Sequence, residues 1–494
     1  MNPIASQVPS IRIRSSGRTS PDSDGKFILY WMSAHRRLTH NFALQRAVDW
    51  SLHLGQPLVI LEPLRCGYRW ACDRFHQFIL DGMAEHARDM AKVSATYYPY
   101  VELERGQQDG LIDHLSASAS VIVTDDFPVF FHPAMIRSIA RCHERFWEIV
   151  DSNGIIPMRQ FDRTFTVAHS FRRTHQKWFR QQWPVFPDAS PLERLPKGKT
   201  LELSVEVRKR WPPLQFGRDG TPKIDLAKLM IDHGIRGGFT SGGATIAKQR
   251  LKGFVERKLL HYANDRNEPQ QEGSSGLSAH LHFGHISPHE VFLALIEGTA
   301  WSPEVLGKAE GKMEGFWNLS PNADPLLDQL ITWREIGFNL AARERNYDRY
   351  ESLPEWAQQT LAEHSNDPRP ALYSLEEFTH AKTHDPLWNA AQRQLVREGR
   401  IHNYLRMLWG KKILHWTRTP QEALEVMIQL NNQFALDGRD PNSYSGIFWV
   451  LGRYDRAWGP ERPVFGKIRY MTSESTASKW RVGEYIKKYS EAAT

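Results

Sequence analysis

The sequence predicts an α/β N-terminal domain built on a parallel sheet, over 25–183, followed by an all-α C-terminal domain over 224–494. Three observations carry this reading. Short apolar runs alternate with helical patterns as far as Asp151, which is the pitch of parallel α/β folds. Seven prolines fall between Pro184 and Pro222, alongside Arg208-Lys-Arg210, and mark an irregular interdomain connector over 184–223. Beyond 224 the chain turns to helical patterns with well-marked helix starts.

In chain order, residues 1–24 carry Arg12, Arg14, Arg18 and several serines without an apolar core, and read as a disordered tail. Residues 26–32 read as a buried strand. Asn41 is an N-cap for a helix in which Phe42, Leu44, Ala47, Val48 and Leu52 recur, and Gly55 ends it. A strand at 58–61 precedes a long helix through Phe75, Phe78, Ile79 and Met83, and further strands are expected at 97–103, 121–124 and 149–151. The first strand lacks a Gly-x-Gly-x-x-Gly turn, so no dinucleotide is expected there. In the second half, Asp385-Pro386 starts a helix that runs to Gly399, and Thr419-Pro-Gln-Glu422 fits a capping box.

With 494 residues, 41% hydrophobic and 24% charged, the composition is that of two globular domains and excludes a disordered or fibrous chain. Apolar runs such as 57–61 are far too short for a bilayer span, so no membrane partner is expected. Cys66, Cys72 and Cys142 are odd in number and lack metal-ligand spacing, which suits a reduced interior, cytoplasmic or nucleoid, or nuclear or organellar in a eukaryote. The net charge is +7, and residues 453–488 hold nine Lys/Arg against four acids. Ten of the 17 tryptophans lie from Trp301 onward. Basic side chains beside aromatic faces suit nucleic acid, although a large core with a solvated face has the same composition.

Individual motifs are weaker. The turn after Tyr262–Arg266, with Ser274, Ser275, Gly276, Leu277 and Ser278, brings small residues and hydroxyls that suit an anion. Ser241-Gly-Gly243 reads as a helix start with capped amides. His280 and His282 have no third ligand at fixed spacing and read as core histidines. No nucleophile elbow, P-loop or His-Glu-x-x-His is present. Trp409 and Trp416, two turns apart, share a helix face. Residues 431–443 read as a polar loop inside an apolar domain, a place for a hydrogen-bonding ligand or a wet cleft.

Read in order, four stretches resemble the photolyase/cryptochrome flavoproteins, most of all class II cyclobutane pyrimidine dimer photolyases. They are Ser275-Gly-Leu-Ser-x-x-Leu-His-Phe-Gly284, Lys382-Thr-His-Asp-Pro-Leu-Trp-Asn-Ala-Ala391, Leu436-Asp-Gly-Arg-Asp-Pro-Asn442 and Phe465-Gly-Lys-Ile-Arg-Tyr-Met471. The N-terminal part matches at Tyr30-Trp-Met-Ser33, Val123-Thr-Asp125 and 150–157, and 158–183 matches poorly. The resemblance implies a Rossmann-like antenna domain, a helical FAD-binding domain, and a second antenna chromophore of unassigned identity. It implies a monomer that repairs UV-induced pyrimidine dimers in double-stranded DNA, by electron transfer from excited FADH⁻ to a flipped-out dimer.

Carried over position by position, Tyr262, Ser274, Ser275, Gly276, Leu277, Ser278 and Arg334 hold FAD. Arg406 and Asp437 pair beside the isoalloxazine, and Asn431 faces flavin N5, where an amide can donate or accept. Trp333, Trp449 and Met407 line the dimer pocket, and Arg266 and Arg456 hold phosphates. Trp388, Trp409 and Trp416 relay electrons from the protein surface; Ile447 replaces the proximal relay tryptophan of class I. At the position of the family's pocket glutamate the chain has Gln329. A cryptochrome-like photoreceptor without repair activity is the alternative reading.

Overall fold

The computed structural model describes residues 6–142, 145–198 and 200–491, the side chains of 139–142 excepted. Six strands form one sheet: β1 (Ile13–Gly17), β2 (Phe27–Trp31), β3 (Leu58–Leu64), β4 (Thr96–Val101), β5 (Ala119–Asp125) and β6 (Phe146–Val150), in the order β1-β6-β5-β2-β3-β4. β2 runs parallel to both β3 and β5, with Leu29 opposite Val59 on one side and Ile122 on the other. The five parallel strands therefore follow the doubly wound order, which reverses between β2 and β5. All five residues of β2 are buried, as a central strand covered on both faces requires. Alternation sends Ile28 and Tyr30 into one core with Phe42, Leu44 and Val48, and Phe27, Leu29 and Trp31 into another with Leu111 and Leu115.

β1 corrects the expected tail. It pairs antiparallel with β6, Ile13 opposite Val150, and the buried Arg12 donates to the carbonyls of Asp151, Gly154 and Ile155. Its own sequence is short and serine-rich; pairing with a formed edge supplies the order. Residues 1–5 of that expected tail lie outside the described residues.

In this part α1 (Phe42–Leu54), α2 (Asp73–Met90), α3 (Leu111–Ala117) and α4 (His132–Cys142) alternate with the strands. Asn41 caps α1 through the N–H groups of Ala43 and Leu44, and Gly55 closes it in the left-handed region at φ 64°. Later come α5 (Ala168–Gln181), α6 (Ala244–Arg257), α7 (Arg334–Arg343), α8 (Pro386–Glu398), α9 (Asn403–Trp416), α10 (Pro420–Phe434) and α11 (Pro441–Val450). Asp385 and Gly399 cap α8 as expected. The capping box at Thr419 is displaced: its hydroxyl accepts from the Glu422 N–H, but the Glu422 carboxylate takes the Arg418 N–H, one residue earlier.

The chain forms two compact units, 1–160 with 184–251 and 277–294, and 161–183 with 252–276 and 295–494. A single cut at the proline-rich stretch does not describe this path, because α5 groups with the helical unit and 184–251 with the α/β unit. The stretch expected to be an irregular connector holds a 3-10 turn, Pro191–Arg194, and a short helix, Val205–Arg210, capped by Ser204, whereas beyond 224 only the 3-10 turn Leu226–Lys228 precedes α6. The amides at its start are taken by the protein itself, Gly242 by Asp81, Gly243 by His285 and Thr245 by Glu85. Burial pushes His280 down to about 3, in keeping with a core histidine. Among the described residues, no cluster suits a metal ion, and no helix is long and apolar enough to cross a membrane.

Candidate active site

Asn431 sits buried on the last turn of α10, and nine residues later Asp440 and Pro441 start α11. The expected polar loop over 431–443 is thus a helix end, a tight turn and a helix start. The turn is close-packed: a Cβ on Gly438 would stand 2.6 Å from the Asn431 carbonyl oxygen, and Arg439 takes a left-handed φ of 63°. Asp440 accepts from the Asn442 N–H at 2.9 Å, the same Asp-Pro device that starts α8.

This turn sets four side chains in a row. The Asn431 amide donates to Ser443 Oγ at 3.0 Å, and Arg406 on α9 donates to the same oxygen at 3.3 Å. Arg406 also reaches both Asp437 oxygens, at 3.2 and 3.3 Å. Asn432, absent from the sequence reading, locks the turn from behind by accepting the Arg439 N–H and donating to the Tyr444 hydroxyl.

Along α11, Ser443, Gly446 and Trp449 recur every three residues and so lie near one face. A Cβ on Gly446 would meet nothing within 4 Å. Trp449 stacks on Trp333, with ring centroids 4.4 Å apart and planes 13° from parallel. Trp333 ends a π-helical turn, Asp328–Trp333, in which the Gln329 carbonyl accepts from the Arg334 N–H. Single π turns within a helix often mark functional positions. Gln329, Met407, Trp333 and Trp449 are all half-buried.

What fixes this turn was not legible in the sequence. Arg172 on α5 holds Asp328 bidentately at 2.6 and 3.0 Å, and His175 meets Glu335 at 3.0 Å, all four buried. These pairs bracket Gln329–Trp333, yet α5 falls in the poorly matching stretch and is separated from α7 by some 150 positions (|i−j| 156 and 160).

Other expected residues lie elsewhere. Arg266 faces the buried Tyr262 ring at 5.9 Å, and burial raises that hydroxyl's pKa while Arg266 opposes it. Arg334 is buried at the head of α7, 4.5 Å over Phe338. Ser274, Ser275 and Gly276 belong to the helical unit, Leu277 and Ser278 to the α/β unit. Arg456 is exposed, 4.9 Å over the Trp458 ring. Trp388 donates to the Trp409 carbonyl at 3.0 Å and meets the Trp416 ring at 5.9 Å. All three of these tryptophans are buried, Trp416 to 1% exposure, so none of them is a surface group as the relay reading expected. Packing against Tyr373 and His384 covers Trp416.

The arrangement offers a buried amide, an ion pair, an open position at Gly446 and a stacked tryptophan pair. No family model matches the chain. It is 32% identical over 480 residues to a deoxyribodipyrimidine photo-lyase of Methanothermobacter thermautotrophicus, covering 96% of this chain and 97% of that one. It is 31% identical to the protein of that name from Arabidopsis thaliana, over 98% and 93% of the two chains, and 30% identical to that of Potorous tridactylus, over 98% and 84%. Among solved structures, a bacterial class III photolyase from Agrobacterium tumefaciens superposes with a TM-score of 0.65 at 15% identity, over 95% of this chain and 88% of that one. A Synechocystis cryptochrome gives 0.65 at 14%, over 95% and 89%. At such identity these two likenesses speak for the fold alone.

Proposed function

The chain belongs to the photolyase/cryptochrome family, and from that premise we propose that it is a light-driven, FAD-dependent enzyme that splits cyclobutane pyrimidine dimers in double-stranded DNA. One observation carries this reading: a single face of α11 runs from Ser443, bonded to Asn431 and Arg406, over the open position at Gly446, to the stacked Trp449. Polar partners for a flavin edge, on α9 and α10, are thus tied through Ser443 to the helix that carries the aromatic ring for bases.

The residues fit FAD by their donor set and by the space left at Gly446. When bound, reduced FAD supplies light absorption and the one electron that the dimer borrows and returns. The chain's own groups do the rest. Asn431 both donates and accepts, so it holds a ring nitrogen in either protonation state without adding charge. Asp437 accepts a ring N–H, and Arg406 is its countercharge. The stacked Trp333 and Trp449 offer aromatic rings, and Met407 adds a polarizable sulfur, which together suit pyrimidine bases. Gln329 donates its amide to a pyrimidine carbonyl, while Arg266 and Arg456 take phosphates. Trp409, Trp388 and Trp416 pass electrons inward.

The test is direct. The purified protein is expected to be yellow with stoichiometric FAD, and under reducing conditions to clear dimers from a duplex in blue light but not in the dark. A colourless protein that FAD does not reconstitute would refute the reading. Gln329 favours one alternative, a photoreceptor on the same fold; reduced, FAD-loaded protein that binds DNA but leaves dimers intact in light would establish it.

A further inference from the structure

Lys411 stands on α9 one turn beyond Met407 and is 1% exposed. Its ammonium donates to the carbonyl of Val450, the last residue of α11, and among the described residues no counter-ion or second acceptor meets it. Burial pushes the group down to about 7; Asp455, on the loop that follows α11, opposes that shift, and Arg469 adds to it. A buried ammonium with a single acceptor is costly, and an apolar side chain of the same volume would pack in its place at lower cost. What the ammonium does provide is a grip on a helix end: the Phe448 and Trp449 carbonyls accept from the N–H groups of Leu451, Gly452 and Arg453, and the Val450 carbonyl, at the negative end of the helix dipole, takes the lysine. The two helices are in close contact at this point, since a Cβ on neighbouring Gly410 would stand 2.6 Å from the Val450 side chain. The residue next to Val450 is Trp449, which stacks on Trp333.

We infer that Lys411 is a positioning residue of the dimer pocket, tying the C-terminal end of α11, and with it Trp449, to the helix that carries Arg406 and Met407. The inference rests on the reading of the Trp333–Trp449 pair as the substrate wall, and it adds a residue that touches neither flavin nor dimer. Lys411→Met keeps the volume and removes the donor; Lys411→Gln keeps a shorter donor without the charge.

The experiment uses the FAD-loaded protein and two readouts. The first is the near-ultraviolet circular dichroism of the tryptophan pair, taken as the difference between each protein and its own Trp449→Phe derivative. The second is affinity for a duplex with a single cyclobutane dimer. Lys411→Met is expected to lose most of the pair's signal and to bind that duplex about tenfold more weakly, as the loss of one charge-assisted hydrogen bond implies. Its flavin photoreduction should stay within about twofold of wild type, since α9 keeps its relay contacts. Lys411→Gln should fall between. An unchanged signal with unchanged affinity in Lys411→Met overturns the inference. If that variant does not fold, the same two values in Lys411→Gln decide. Should wild type fail to bind the dimer at all, the function reading falls, and the dichroism alone still judges Lys411.

Discussion

Arg46 holds Glu148 with contacts of 2.6 and 2.7 Å, and the two side chains are 8% and 3% exposed. Arg406 reaches Asp437 at 3.2 and 3.3 Å, with side chains 25% and 14% exposed. The same contrast holds more widely. In the α/β unit, buried Glu62 accepts from Arg36, His86 and Tyr97, and buried Asp125 accepts from three backbone N–H groups and the Tyr30 hydroxyl. These three carboxylates, Glu148, Glu62 and Asp125, are saturated by the fold. Beside α11 the ion pair is long and partly open, and Gly446 on that helix has no neighbour within 4 Å of a Cβ. Saturated pairs hold the structure, and the loose pair keeps capacity for something the chain does not itself supply.

The sharpest way to break this contrast is to cut a saturated pair within the helical unit. Arg172→Met strands Asp328 in a buried site and is expected to cost about 3–5 kcal/mol in urea unfolding. A loss below 1 kcal/mol would mean that short buried pairs here are no more structural than the Arg406 pair. Glu62→Gln tests the α/β unit through pH. Burial pushes the Glu62 carboxyl up, but His86, Arg36 and Tyr97 outweigh it and hold it down to about 2. Its contribution is complete above an unfolded value near 4.5 and is lost as pH falls towards 2. The variant should lose about 1–3 kcal/mol at pH 7, with a flatter acid limb of Tm against pH below 4.5.

Asp437→Asn should invert the pattern. Stability is expected to change by less than about 1 kcal/mol, because the pair is long and part-exposed, while FAD affinity falls about tenfold by equilibrium dialysis. A large Tm loss with unchanged FAD affinity would place Asp437 among the structural pairs. Gln329→Leu removes a donor from the half-buried pocket and should lower the quantum yield of dimer splitting by an amount worth about 1 kcal/mol, whereas Gln329→Glu should keep or raise it. Equal yields in all three proteins would detach Gln329 from the substrate. Smallest of all is Gly446→Ala. Nothing stands within 4 Å of the added methyl, so the FAD-free protein should gain about 0.5–1 kcal/mol of stability, while FAD affinity falls because the methyl enters the space assigned to the flavin. Destabilisation would show that the position is filled.

Much of the site was legible in advance because its residues lie in short, ordered motifs. Asn431, Asp437 and Ser443 fall within thirteen consecutive positions, and Arg406, Met407 and Trp409 share one helix. Trp388, Trp409 and Trp416 were expected to lead in from the surface, but burial of Trp416 depends on Tyr373 and His384 packing against it from another segment. Arg172, His175 and Lys411 gave no signal. Each acts on a partner tens of positions away or more, and a lone Arg, His or Lys on a helix has the same local pattern whether it anchors a buried carboxylate or faces water.

Local chemistry determined what local chemistry can reach. The five parallel strands follow from buried apolar runs, the starts of α1, α8 and α10 from side chains that satisfy orphan N–H groups, and the two-part architecture from a change of period along the chain. Tertiary structure alone decided the rest. β1 is a strand because β6 presents an unpaired edge to it, and α5 joins the helical unit because Asp328 and Glu335 need buried partners. The π turn at Asp328–Trp333 adds one residue that no hydrophobic period announces, and α5 fixes it from outside. A hydrogen bond to a neighbour in sequence is written into the order of residues; an edge, a counter-ion or a helix end brought up from afar exists only once the chain has folded.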